Sequence, residues 1–264
     1  MMNHLPLTND TLYEKAPSIF ATKASETVSD KYLFIPTIQL VDKLREEGFV
    51  PVYARESRTR IEANEGFQKH LIRFRHESTG LNRLNVGDEI IETVLINSHN
   101  RSSGFQLYNG VFRCICSNQM VVNSGTIDRI SVKHVGNHLD DVIEGAYEII
   151  DRAPVVMESI DDMKTLTLSD DEQHLLAESA LAVTEAKVRP EQLLTHRRRQ
   201  DTEPNLWNVF NTIQENTLKG GQYIGRTDKG RIQRTRAVKA IDKDIKLNRA
   251  LWALADKMRE LKAA

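Results

Sequence analysis

Cysteine is nearly absent from these 264 residues: there are two, Cys114 and Cys116. Two positions apart on one strand, they face the same way, and such neighbours rarely bridge. A disulfide-built scaffold is excluded, and a reducing, cytoplasmic setting is expected. Long apolar runs are also missing, so no membrane span is expected. Met1 to Asp10 has no basic stretch followed by an apolar one, so no secretory signal is expected. Neither HExxH nor CxxC occurs, and the eight histidines are scattered. His134 and His138 are four apart, but a strand-to-helix boundary is expected between them, so no metal site is expected. GxxxxGK[ST] is absent too, and the glycines from Gly220 to Gly230 follow no strand, so no nucleotide or other cofactor is expected. Net charge is almost absent: 36 Lys plus Arg stand against 37 Asp plus Glu.

That near-zero sum conceals segregation. Residues 1–30 carry net −2, 31–134 net +3, 135–188 net −10 and 189–264 net +8. Such asymmetry is a cue for a basic region with an anionic partner, so the average excludes nothing about nucleic acid.

What is present patterns as α+β. Residues 1–30 read as a polar lead-in. Pro36 opens an amphipathic helix with Ile38, Leu40, Val41 and Leu44 on one side and Gly48 as its stop. Strand-like runs follow at 49–54, 67–75, 89–96, 104–108, 111–116 and 127–135, with Gly and Asn turns between them. Glu89 to Ile96 is continuous and β-branched, which predicts burial on both faces. Beyond Gly136 the pattern is helical. Ser169-Asp-Asp-Glu172 is a capping box, opening a helix to about Ala186 with a stripe of Leu175, Leu176, Ser179, Ala182 and Val183. Pro190 and Pro204 open further helices, residues 222–236 read as a mobile loop, and the last helix spans about 237–262. The expected fold is therefore a mainly antiparallel twisted sheet at about 49–135, flanked by helices, with a helical C-terminal half. The expected domains are the lead-in 1–30, an α+β core 31–188 and a basic helical region 189–264.

Arginines carry the strongest chemical signal. Arg55, Arg58 and Arg60 follow the first strand; Arg73 and Arg75 alternate along the second; Arg101, Arg113 and Lys133 recur later. On one sheet face they would track a phosphate backbone, with Tyr53, Phe67, Phe105 and Tyr108 stacking on bases. The alternative is a solvated face of scattered ion pairs, which 14 basic and 11 acidic residues over 31–134 favour. Arg197, Arg198 and Arg199, with Arg226, Lys229, Arg231, Arg234 and Arg236, form a denser basic region suited to salt-dependent binding. The alternative there is docking onto the acidic helices of 137–188.

The densest polar segment runs from Asn97 through Ser98, His99, Asn100, Arg101, Ser102 and Ser103 to Gly104. Its amides could receive an anion; equally, its Ser and Asn side chains could close a turn on their own backbone. An enzyme centred on His99 is a further possibility. Cys114 and Cys116 lie in Val-Phe-Arg-Cys-Ile-Cys, a core-strand composition in which Cys packs as a small hydrophobe.

Asn97-Ser-His-Asn-Arg-Ser-Ser103 followed by Gly110-Val-Phe-Arg-Cys-Ile-Cys-Ser-Asn118 resembles the phage/plasmid-like domain-of-unknown-function family of the YafZ/YfjQ type, found on prophages and plasmids. Tyr32 to Phe49, Val142 to Glu148, Asp171 to Leu175, Gln214-Glu-Asn216, Lys219-Gly-Gly221 and Asn248 to Trp252 extend the resemblance over nearly the whole chain. The resembled family usually reads Asp-Gly where this chain has Asn100 and Arg101. The resemblance implies a mobile-element setting. By architecture alone, the expected fold is also similar to the Rad52-like annealing recombinases.

The expected function is thus a DNA-binding accessory protein of a mobile element, gripping single-stranded DNA for annealing in recombination. It is read as a binding protein rather than an enzyme, and as a homo-oligomer. The rival is a counter-defence or regulatory protein that binds a host protein through its acidic helices.

Overall fold

The computed structural model describes residues 6–26, 28, 34–79, 88–113, 130–132 and 139–263. The chain forms two compact units, residues 1–121 with 127–153, and 122–126 with 154–264.

The first unit is α+β. Helix α1 (Asn9–Lys15) and a 3-10 turn (Pro17–Phe20) precede α2 (Thr37–Glu46). Strands β1 (Phe49–Glu56), β2 (His70–His76), β3 (Glu89–Asn97), β4 (Phe105–Arg113) and β5 (Ile130–Val132) then pair in the order 1-2-3-4-5, every neighbour antiparallel. Helix α3 (Leu139–Asp151) closes the unit.

Alternation along the strands divides the sheet into two faces. Register places Ala54, Ile72, Leu95 and Leu107 side by side on one of them. These pack with Leu12, Ala16 and Ile19 of the N-terminal helices, with Leu40, Val41 and Leu44 of α2, and with Val142, Ala146 and Ile149 of α3. The polar lead-in therefore supplies core residues, in a helix and turn too short for periodicity to reveal. Glu89 to Asn97 is buried throughout save at its first residue, as the β-branched run predicts.

Two expected strands, 104–108 and 111–116, are joined. β4 continues straight through Asn109-Gly110, which lie opposite Thr93 and Glu92. Gly110 marks no turn. A Cβ there would come within 2.6 Å of Phe112 Cε2 and 2.8 Å of Val94 Cγ2, so the residue is small to make room for the Phe112 ring. Cys114, Cys116, Lys133, His134 and His138 lie outside the described residues.

The second unit holds helices α4 (Ala153–Thr165, whose first residue belongs to the first unit), α5 (Asp170–Thr184), α6 (Pro190–Leu193), α7 (Leu206–Lys219) and α8 (Ile241–Ala263), with a two-stranded ribbon of β6 (Tyr223–Arg226) and β7 (Ile232–Arg234). The capping box is in place: Ser169 N–H donates to Glu172 Oε2 at 2.7 Å and Glu172 N–H to Ser169 Oγ at 3.3 Å. The buried side of α5 is Leu176, Ala177 and Ala180, whereas Leu175 is 56% and Val183 39% exposed. The expected stripe is thus rotated, because small alanines rather than the leucine pair admit the neighbouring helices. Trp207, Phe210 and Trp252 stack edge-on between α7 and α8. Basic side chains of α8 meet acids of α4 and α5: Arg259 with Asp162 and Lys262 with Glu172, both at 2.9 Å. Among the described residues no helix is long and apolar enough to cross a membrane.

Candidate functional site

The basic residues of the C-terminal region separate into two roles. Arg197 and Arg198 are structural. Arg197 Nε donates to Asn216 Oδ1 and its Nη2 to the Gly220 carbonyl, both at 2.7 Å. Arg198 bridges Asp201 and Glu215 at 2.9 and 2.8 Å. Burial of these partners makes such charge-assisted bonds specific. Arg199 is exposed on a short 3-10 turn.

The remaining arginines stand on the ribbon. Residues 222–236 form a hairpin where a loop was expected, because its ends are fastened. Gly221 N–H donates to the Thr235 carbonyl, Thr235 N–H to the Gln222 carbonyl and Val238 N–H to the Leu218 carbonyl. Asn216 organises the base: its Nδ2 donates to the carbonyls of Leu193 and Thr195, while its Oδ1 accepts from Gln222 Nε2 and Arg197. Gly220 has φ +63, and a Cβ there would lie 2.7 Å from the Arg236 backbone, so Lys219-Gly-Gly221 is a turn that only glycine makes easily. Above this base, Arg226, Lys229, Arg231, Arg234 and Arg236 are exposed, with Asp228 the lone acid among residues 222–236. Tyr223, Ile224 and Ile232 are 47%, 41% and 54% exposed beside them. Register sets Tyr223 opposite Arg234 and Arg226 opposite Ile232, so cations and flat or apolar groups share one side.

On the sheet the expected phosphate track is broken. Arg58, Arg60 and Arg101 are exposed, and Arg55 and Arg113 half-buried. Arg73 and Arg75 are each only 3% exposed. Both turn to the face opposite the helices and meet Glu92, their Nε atoms at 2.6 and 2.7 Å from its two oxygens. The Arg73 guanidinium also lies between the rings of Tyr53 and Phe112, 4.7 and 3.8 Å from their centres. Of the expected stacking residues, Tyr53 and Phe67 are half-buried, while Phe105 and Tyr108 are 1% and 5% exposed and have no free face for a base. Glu92 is the missed residue. A single carboxylate inside Ile-Ile-Glu-Thr-Val-Leu-Ile was the available signal, since an apolar strand seldom buries an acid without a cation.

The polar loop after β3 turns inward. Asn97, Ser98 and His99 are fully buried and Ser103 is 7% exposed. Ser103 N–H donates to Ser98 Oγ at 2.7 Å, and Ser98 Oγ–H returns to the Ser103 carbonyl at 2.9 Å. The exposed Ser102 donates its N–H to Asn100 Oδ1. Arg101 holds φ +65, the left-handed region that favours glycine. Deeper in, four elements converge. Asn97 Nδ2 donates to Thr37 Oγ1 at 2.9 Å; Thr37 Oγ1 also meets His70 Nε2 at 2.9 Å and His99 Nε2 at 3.1 Å. His70 Nδ1 faces the Gln68 carbonyl and Ser18 Oγ at 3.2 and 2.9 Å. A carbonyl can only accept, so His70 carries its proton on Nδ1, Thr37 donates to His70 Nε2, and His99 donates to Thr37. Burial, then the neighbouring His99, holds the His70 pKa down at about 3. The imidazole stays neutral, and the arrangement ties strands to helices.

Similarity to known proteins spans both units. The family described as "Domain of unknown function (DUF932)" matches residues 24–252. The chain belongs to this family. It is 39% identical over 255 residues to UPF0380 protein YafZ and, equally, to UPF0380 protein YfjQ, both of Escherichia coli (strain K12), covering 95% of this chain and 91% of each relative. No solved structure matches it significantly. The family match runs from the loop before α2 to Trp252 on α8.

Proposed function

We propose that this protein is a nucleic-acid-binding accessory protein of a mobile genetic element, and that it grips single-stranded DNA in recombination. The exposed ribbon carries this reading. Five cations against one acid stand on a braced hairpin, beside an exposed tyrosine and two isoleucines. Arginine and lysine neutralise phosphates irrespective of sequence, and an exposed ring offers a stacking surface worth roughly 1–3 kcal/mol per base. The bracing by Asn216 and Arg197 keeps the entropy cost of presenting those side chains low.

The test is anisotropy of a labelled oligothymidylate with the full chain across a salt series. Affinity is expected to fall linearly on a log–log plot. Replacing Arg226, Arg231 and Arg234 by alanine should flatten the slope by about 0.7 for each phosphate no longer neutralised. Absence of binding at low salt, or binding indifferent to salt, rules the reading out.

A second reading has its own support. Asp140, Asp141, Glu144 and Glu148 make an exposed acidic row on α3, suited to a basic partner protein of the host. Copurification of such a partner, without DNA affinity, would favour it.

A further inference from the structure

We propose that the Arg73–Glu92–Arg75 cluster of the first unit is a binding site for a single phosphate group carrying one negative charge.

The cluster arises from strand alternation. Arg73 and Arg75, two apart on β2, point to one face, and Glu92 on β3 joins them because Val94, its neighbour but one, pairs with Arg73. All three are almost completely withdrawn from water, with side chains 4%, 4% and 0% exposed. Guanidinium groups keep their charge in proteins, so two cations share one carboxylate and one positive charge is left over. Burial disfavours the charged form of Arg73, Glu92 and Tyr53 favour it, and Arg75 opposes it. An uncompensated charge at such a site is costly.

Hydrogen bonding points the same way. Among the described residues, buried Arg73 Nη1 meets no acceptor, and the Arg73 Nε–H is not aligned with the Glu92 oxygen it touches. The rings of Tyr53 and Phe112 cover the faces of the guanidinium. They cannot satisfy its N–H groups, which lie in the guanidinium plane and need an acceptor at the edge. Gly110 belongs to this construction, since it lets the Phe112 ring lie across the strand. The site therefore calls for an in-plane oxygen acceptor bearing about one negative charge. Monobasic phosphate and a phosphodiester both have that chemistry.

The experiment uses the full chain, as wild type and with Arg226, Arg231 and Arg234 replaced by alanine, so that phosphate held by the exposed ribbon is separated from phosphate held by the buried cluster. Melting temperature and calorimetry are followed in inorganic phosphate near pH 6.5, against chloride at equal ionic strength, and then with thymidylyl-thymidine as a diester without terminal phosphate. Phosphate should stabilise the wild type beyond chloride. Arg73→Gln, which leaves a neutral Arg75–Glu92 pair, should weaken phosphate binding at least tenfold. Glu92→Gln, which adds excess positive charge, should strengthen it several-fold, a direction that a merely structural ion pair does not produce. Binding of the inorganic ion alone assigns the site to a free anion; binding of the diester assigns it to a nucleic-acid backbone. A wild-type response to phosphate no greater than to chloride overturns the proposal, as does an undiminished response in a folded Arg73→Gln protein. Should that variant not fold, calorimetric phosphate binding by the triple ribbon variant decides, and its absence overturns the proposal.

Discussion

Thr37 Oγ1 stands 2.9 Å from Nε2 of His70, joining the first turn of α2 to the start of β2. The same hydroxyl accepts from Asn97 on β3 and meets His99 beyond it. One atom therefore connects a helix, two strands and a loop, all without access to water. Thr37→Val keeps the shape and removes the atom, stranding polar groups at about 1–3 kcal/mol each. We expect a destabilisation of about 2–4 kcal/mol, read from urea denaturation midpoints with an unchanged m-value.

Acid should act through His70. Its pKa of about 3 in the folded chain lies below the ordinary 6.5, so the unfolded chain binds the proton first. The stabilisation is complete above pH 6.5 and is lost as pH falls from there towards 3. At 1.36 kcal/mol per pKa unit the full effect is roughly 4–5 kcal/mol. Urea titrations at pH 7, 5.5 and 4 should show a steeper decline for wild type than for His70→Gln; parallel declines would refute this.

Gly220 anchors the ribbon. Gly220→Ala combines an unfavourable φ with a close approach to the Arg236 backbone. We expect about 1–3 kcal/mol of destabilisation. Limited trypsin digestion should then cut earlier at Arg226, Lys229 or Arg231 than elsewhere in the chain; an unaltered cleavage order would count against the anchoring role.

Arg101 carries strain in a conformation suited to glycine. Arg101→Gly should stabilise by about 0.5–1 kcal/mol, the relief of left-handed strain exceeding the entropy that glycine adds to the unfolded chain. A lowered melting temperature would show that the Arg101 side chain makes an interaction worth more than the strain.

Legibility in the sequence followed the range of the interactions. Glu89 to Ile96 announced a doubly buried strand because its composition is local, and the Ser169–Glu172 box announced α5 because both partners lie within one turn. The roles of the arginines did not show. Arg73 and Arg75 alternate as a solvent-facing strand would, and only the fold brings Glu92, seventeen residues beyond Arg75, between them. Likewise Arg197 reads as one of three equal cations until Asn216 and Gly220 are placed beside it. The ribbon was hidden by its glycines, whose positive φ angles make a hairpin base that resembles slack chain when read in one dimension.

The sheet is a plain meander, each strand pairing with those before and after it in the chain. Its pairings therefore need no distant segment to arrive first, and loop-closure entropy is met in small instalments. As the polypeptide leaves the ribosome, each strand finds its neighbour already made. Glu92 finds Arg73 and Arg75 on the strand synthesised just before its own, so the partners of this buried acid precede it in the chain.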